Sequence, residues 1–122
     1  MLLAEGLSGT QAGLLHDAYM RYPREWIPRS RGADDDAIAT ALADLEARGL
    51  ATDGRVDAAG IALRERIEAT TDRLCEQPWR TLGEAGTERV LALIEPVGAR
   101  FMARVDATAG PEWMPAARDR RP

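Results

Sequence analysis

The chain has 122 residues, 20 acidic and 16 basic side chains and one His, giving a formal charge of −4. Every basic residue is Arg, and neither Lys nor Asn occurs. This length suits one domain with a real core, a 45% hydrophobic share excludes wholesale disorder, and the acidic balance argues against a strongly electrostatic nucleic-acid binder.

In chain order, Ser8 followed by Gln11 has capping-box spacing and opens a helix. Leu14, Leu15, Ala18 and Tyr19 then recur as a buried helix face. Pro23 should end that helix near Arg21 or Tyr22. Pro23, Pro28 and Gly32 leave room for one helical turn between residues 23 and 32, pinned to the core by Trp26 and Ile27. Asp34-Asp35-Asp36 opens a second helix by capping free amides at the positive end of its dipole. Ile38, Ala41, Leu42 and Leu45 form its inner face, and Gly49 stops it.

Leu50-Ala51-Thr52 and Arg55-Val56 flank Asp53-Gly54, a two-residue hairpin signal. Asp57 can cap the next helix, which is expected to run to about Gln77 before Pro78. Leu63, Ile67, Thr70 and Leu74 share its inner face. Glu65, Glu68, Asp72 and Glu76 make an acidic ridge opposite, interleaved with Arg64, Arg66, Arg73 and Arg80. Thr81-Leu82-Gly83-Glu84 has the form of a second capping box. The helix after it carries Val90, Leu91, Ile94, Val97, Phe101 and Val105 on one face, with a kink expected at Pro96. Residues 109–122 are rich in Gly, Pro and charge and are expected to form a mobile tail that Trp113 can anchor.

The order helix, turn, helix, tight hairpin, long helix, helix is that of a winged helix-turn-helix, mainly α with a small β-hairpin wing. Ala43-Asp44-Leu45-Glu46-Ala47-Arg48-Gly49-Leu50, followed by Gly54-Arg55-Val56-Asp57-Ala58-Ala59-Gly60, resembles the multiple-antibiotic-resistance regulator (MarR) type. Thr71-Asp72-Arg73-Leu74, Pro78-Trp79 and Leu82-Gly83-Glu84 are similar to an uncharacterised actinobacterial helix-turn-helix family. The similarity covers roughly residues 3–106. Longer members of that family have an extra N-terminal helical domain, and residues 2–7 look like the end of one of its helices, as in a short or truncated member. The expected organisation is a winged-helix domain over 1–108, with helix-turn-helix and wing over about 8–60 and long C-terminal helices over about 57–106.

The resemblance implies a cytoplasmic, non-enzymatic, dimeric relative of transcription regulators. In a winged helix the second helix of the motif, here about 33–48, enters the major groove. Its outward positions Asp35, Asp36, Ala39, Thr40, Ala43 and Glu46 offer no basic reader before Arg48, so sequence-specific readout is disfavoured. DNA contacts would fall to Arg21, Arg24, Arg29 and Arg31 on phosphates, with Thr40, Arg48 and Arg55 near the groove. The competing expectation is a repurposed winged helix. It would hold a small apolar ligand or a protein partner through Tyr19, Met20, Tyr22, Trp26, Trp79 and Met102.

Catalytic and metal chemistry find little support. The serines, Ser8 and Ser30, lie in capping or loop contexts, and no phosphate-binding glycine loop occurs. Glu68 and Asp72, four apart on a helix, read as a solvated charged face. One histidine, His16, rules out a His-cluster metal site. One cysteine, Cys75, rules out an intrachain disulfide and reads as a small packed thiol. No cofactor is expected. No apolar run approaches the ~20 residues of a membrane span, and Met1 to Glu5 lack a signal-peptide pattern.

Overall fold

A computed structural model describes residues 5–110. Its elements are α1 (Gly9–Met20), α2 (Trp26–Ser30), α3 (Asp35–Ala47), β1 (Ala51–Thr52), β2 (Arg55–Val56) and α4 (Ala58–Thr108). The chain divides into two compact units, the first ending at Leu74 and the second starting at Cys75. The winged helix-turn-helix lies in the first, and a helical segment makes up the second. The tail expected over 109–122, with its Trp113 anchor, lies almost entirely outside the described residues.

Local chemistry sets each boundary of the first unit. The capping box of α1 is complete: Gln11 N donates to Ser8 Oγ at 3.2 Å, and Ser8 N donates to Gln11 Oε1 at 2.8 Å. Asp34 caps α3, its Oδ1 accepting from Ala37 N at 2.9 Å. That helix ends in a Schellman motif: Leu50 N donates to Leu45 O and Gly49 N to Glu46 O, both at 2.9 Å, with Gly49 at φ 66°. β1 and β2 pair antiparallel in the register Ala51–Val56 and Thr52–Arg55. Asp53 and Gly54 both have positive φ, 51° and 66°, as a type I′ turn requires. Glu46 Oε1 ties the turn to α3 by accepting from Gly54 N at 2.6 Å. Asp57 Oδ1 accepts from Ala59 N and Gly60 N and so caps α4.

The core gathers Leu7, Leu14, Leu15, Ile38, Ala41, Leu45, Ala51, Leu63 and Ile67, with Leu42, Leu50 and Val56 partly buried against it. Two close approaches hold it together. A Cβ on Gly60 would lie 2.7 Å from Val56 Cγ1 and 3.1 Å from Leu15 Cδ2, and closer still to Leu50 O. One on Gly13 would meet Ile27 and Pro28 at 3.1 Å. Glycine therefore seats α4 on the hairpin and α2 on α1.

Several expectations for α4 are corrected. Its inner face holds at Leu63 and Ile67 but not at Leu74, which is 67% exposed, because the core reaches only the first turns of the helix. Glu68 is not part of a solvated ridge. It is half-buried and ion-paired with Arg64, while Glu65, Asp72 and Glu76 are exposed. The helix passes through Pro78 and Pro96, and its dihedrals break at Gly83, where φ is 66° and ψ 177°. A missing amide at a proline costs one helical hydrogen bond, whereas that backbone conformation is open to glycine alone. Thr81 is not a cap, since its hydroxyl donates back to Gln77 O at 3.0 Å. Cys75, expected to be packed, is exposed.

In the second unit, Leu91, Ile94, Val97 and Phe101 recur on one helix face and are each at least half exposed. Val90 and Val105 are half-buried. No helix among the described residues is long and apolar enough to cross a membrane.

Candidate nucleic-acid interface

The site begins where α1 ends. Arg21 takes the left-handed conformation, φ 57°, and the last turn closes with Tyr22 N donating to Asp17 O at 2.9 Å. Glu25, at φ 62°, is a second left-handed residue before α2. Two non-glycine residues in this region fix the path of the turn at some energetic cost. The clamp that holds the turn is Asp17. Its carboxylate is 4% exposed and accepts from Ile27 N through both oxygens, at 3.2 and 3.1 Å. This side chain from α1 thereby satisfies the open amides of α2. Burial pushes its pKa from 3.8 up to about 6. Amides of Ile27 and Trp26 and the charge of Arg31 pull the other way, and Glu25 adds to the rise.

Asp17, Arg21, Tyr22, Arg24, Glu25 and Arg55 line a half-open cleft of about 390 Å³ floored by Leu14, Leu42, Val56 and Ile61. Three elements supply its guanidinium groups: the end of α1, the turn and the wing. Arg24 Nη2 donates to Gly54 O at 3.2 Å, which links the turn to the wing. Among the described residues, Arg21, Arg24 and Arg55 have no carboxylate partner.

The other predicted DNA contacts are differently placed. Arg29 bonds Glu25 Oε2 at 2.9 and 2.6 Å and Asp35 Oδ1 at 2.8 Å, and these carboxylates raise its pKa further. Arg48 donates to Glu5 O at 2.9 Å and Gly6 O at 3.4 Å, which ties it to the N-terminal segment. Arg31 is exposed and lines a separate hollow with Thr10 and Pro28. Thr40 is exposed on α3 among Asp35, Asp36, Ala39, Ala43, Asp44 and Glu46. The exposed side of α3 thus carries carboxylates and no basic side chain before Arg48.

The predicted ligand-pocket residues are spread across both units. Tyr22 is buried, its ring edge-on to His16 at 5.6 Å and to Trp26 at 6.3 Å. Tyr19 lies under the Arg64 guanidinium at 5.5 Å, and Arg64 also approaches His16 Nδ1 at 3.2 Å. Met20 and Met102 are half-buried. Trp79, 45% exposed, lines a hollow of the second unit with Glu76, Arg80 and Glu84. Sequence reasoning missed Asp17. Its signal was a carboxylate three residues after Leu14, inside the apolar stripe of α1.

Among the described residues, no group of three or more His, Cys, Asp or Glu side chains could hold a metal ion. Two helices, a tight wing and an arginine-bearing cleft beside that wing define a winged helix-turn-helix protein. The chain belongs to a helix-turn-helix family, whose model matches residues 1–109. No curated protein and no solved structure matches it.

Proposed function

We propose that this protein is a MarR-like, transcription-regulator-like DNA binder that holds the duplex by its phosphates and reads few bases. The observation that carries this reading is the convergence of Arg21, Arg24 and Arg55 on one cleft, with no carboxylate partner among the described residues. Arginine is the stronger bidentate phosphate donor. Base readout uses Arg, Lys, Asn or Gln on groove-facing positions, and α3 has carboxylates there.

Anisotropy of a labelled random duplex tests it. Each phosphate contact contributes roughly −0.9 to the slope of log K against log salt. Replacing Arg21, Arg24 and Arg55 together by Ala should flatten that slope by roughly 2 to 3 per protomer. Scrambling the duplex sequence should change affinity only a few-fold. Absence of binding at micromolar protein and low salt would overturn the reading.

The protein acts as a homodimer in this proposal, a second copy covering the exposed Leu91, Ile94, Val97 and Phe101 face. Light scattering tests this, and a concentration-independent mass of 13.3 kDa would refute it. The competing reading, a small apolar ligand or a protein partner held by the aromatic residues, draws support from the ring contacts of Tyr22 with His16 and Trp26. A thermal-shift screen with aromatic compounds separates the two.

A further inference from the structure

We propose that the arginine cleft is a proton-coupled anion site, in which Asp17 takes up one proton from solvent as an anionic group seats among Arg21, Arg24 and Arg55. The inference rests on the cleft being the anion-binding surface, and it adds a chemical rule for occupancy.

The buried Asp17 and the Arg29-paired Glu25 line a cleft whose three guanidinium groups have no carboxylate partner among the described residues and would attract an anion. An incoming phosphate or sulfate brings a second negative charge to the space that Asp17 lines. Two like charges in one cleft disfavour each other, most where one of them is buried, and proton uptake by the carboxylate removes the conflict. The remaining charges about Asp17 are known. Arg21 follows it on α1, and His16 precedes it but turns to Arg64. The turn contributes Tyr22, Arg24 and Glu25, α2 contributes Arg31, and the wing contributes Arg55. Leu42 of α3 and Ile61 of α4 bring no charge. Burial already holds Asp17 near the point of protonation, with a pKa of about 6, so a modest added repulsion suffices.

The neutral acid keeps the turn in place. One oxygen still accepts from Ile27 N, while the protonated oxygen becomes a donor. The step is Asp17 carboxylate plus a solvent proton giving the carboxylic acid, with no other group changed. By linkage, anion affinity then rises as pH falls, by at most tenfold per pH unit for one proton.

The experiment measures binding of a random duplex and, separately, of sulfate at about pH 5.5 and about pH 7.5 at fixed ionic strength. Wild-type affinity for each should rise roughly five- to tenfold on acidification. Asp17→Asn, which keeps the acceptor for Ile27 N, should be flat with pH and match the acidic wild type at the higher pH. Equal pH slopes in wild type and variant overturn the inference and leave the DNA reading intact. Sulfate binding with the predicted slope but no duplex binding sustains the inference and removes the DNA reading. Failure of both probes to bind removes both. If Asp17→Asn does not fold, calorimetry of wild type with sulfate in two buffers of different ionisation heat decides. Proton uptake near pH 6.5 supports the inference, and its absence overturns it.

Discussion

Gly60→Ala isolates the contact that seats α4 on the wing. In an open helix interior, Gly→Ala stabilises by roughly 0.5–1 kcal/mol through reduced chain entropy and better helix propensity. At Gly60 the new methyl would sit 2.7 Å from Val56 Cγ1 and 3.1 Å from Leu15 Cδ2, with the Leu50 carbonyl nearer still. The valine has little freedom, because its χ1 is stiff. The carbonyl cannot yield freely, because it accepts from Asp57 N at 3.2 Å and so closes the hairpin. Overpacking of this kind costs about 1–3 kcal/mol, which exceeds the propensity gain. The expected result is a net loss of about 1–2 kcal/mol, or a melting temperature lower by roughly 5–10 °C in a unit of this size. Gly98→Ala is the matched control, since a Cβ there meets nothing within 4 Å, and it should be neutral or stabilising. Circular-dichroism melts with urea titrations read both variants. A stabilised Gly60→Ala protein would show that α4 can shift away from the hairpin without cost, and the close approach would lose its structural meaning.

The pKa of Asp17 is raised from 3.8 to about 6, so the folded state holds an extra proton between those values. Its contribution to stability is present at low pH and is lost as pH rises through that window, by roughly 3 kcal/mol in all. In urea titrations Asp17→Asn should therefore gain on wild type between about pH 4 and pH 7.5, and a constant difference would refute the burial argument. Ser8→Ala removes the complete capping box and should cost about 1 kcal/mol in the same assay. Arg29→Ala should leave duplex affinity within about twofold of wild type, because its guanidinium is held by Glu25 and Asp35, whereas Arg55→Ala should lower affinity and the salt slope together.

Elements whose ends are fixed by local chemistry were legible in the sequence. Ser8 with Gln11, Asp34, Gly49, Asp53-Gly54 and Asp57 each act on backbone groups a few residues away, and each does in the structure what its type and spacing require. Periodicity placed Ile38, Ala41, Leu45, Leu63 and Ile67 in the core for the same reason. What was not legible depended on tertiary context. Leu74 continues the apolar spacing of Leu63 and Ile67, but no core reaches it. Pro78 looks like a stop, yet one lost hydrogen bond is tolerated and Gly83 takes the break. At the site, Arg21, Arg24 and Arg55 were all named from their places before the recognition helix and in the wing. Only the fold showed that they converge, whereas Arg29 and Arg48 are occupied elsewhere. Asp17 was passed over because a carboxylate beside His16 on a helix reads as surface, and its role rests on a contact ten residues away, with Ile27.

The net charge of −4 is a poor guide to what this surface attracts, because charge acts through its partners. Arg64 with Glu68 and Arg80 with Glu76 are internally neutralised, and Arg29 is more than offset by Glu25 and Asp35. Among the arginines outside those pairs, Arg21, Arg24 and Arg55 are the three that share one cleft, a local positive group on an acidic chain. The carboxylates of α3 do not cancel its field at contact range, but they do repel a duplex lying along the helix. A DNA-bound pose must therefore bring phosphates to the wing and turn while keeping them off α3. On the proposed reading, phosphate contacts rather than base edges are then the source of affinity. That requirement also makes the ionisation state of Asp17, the one carboxylate inside the cleft that neither pairs with an arginine nor faces solvent, the charge most able to alter it.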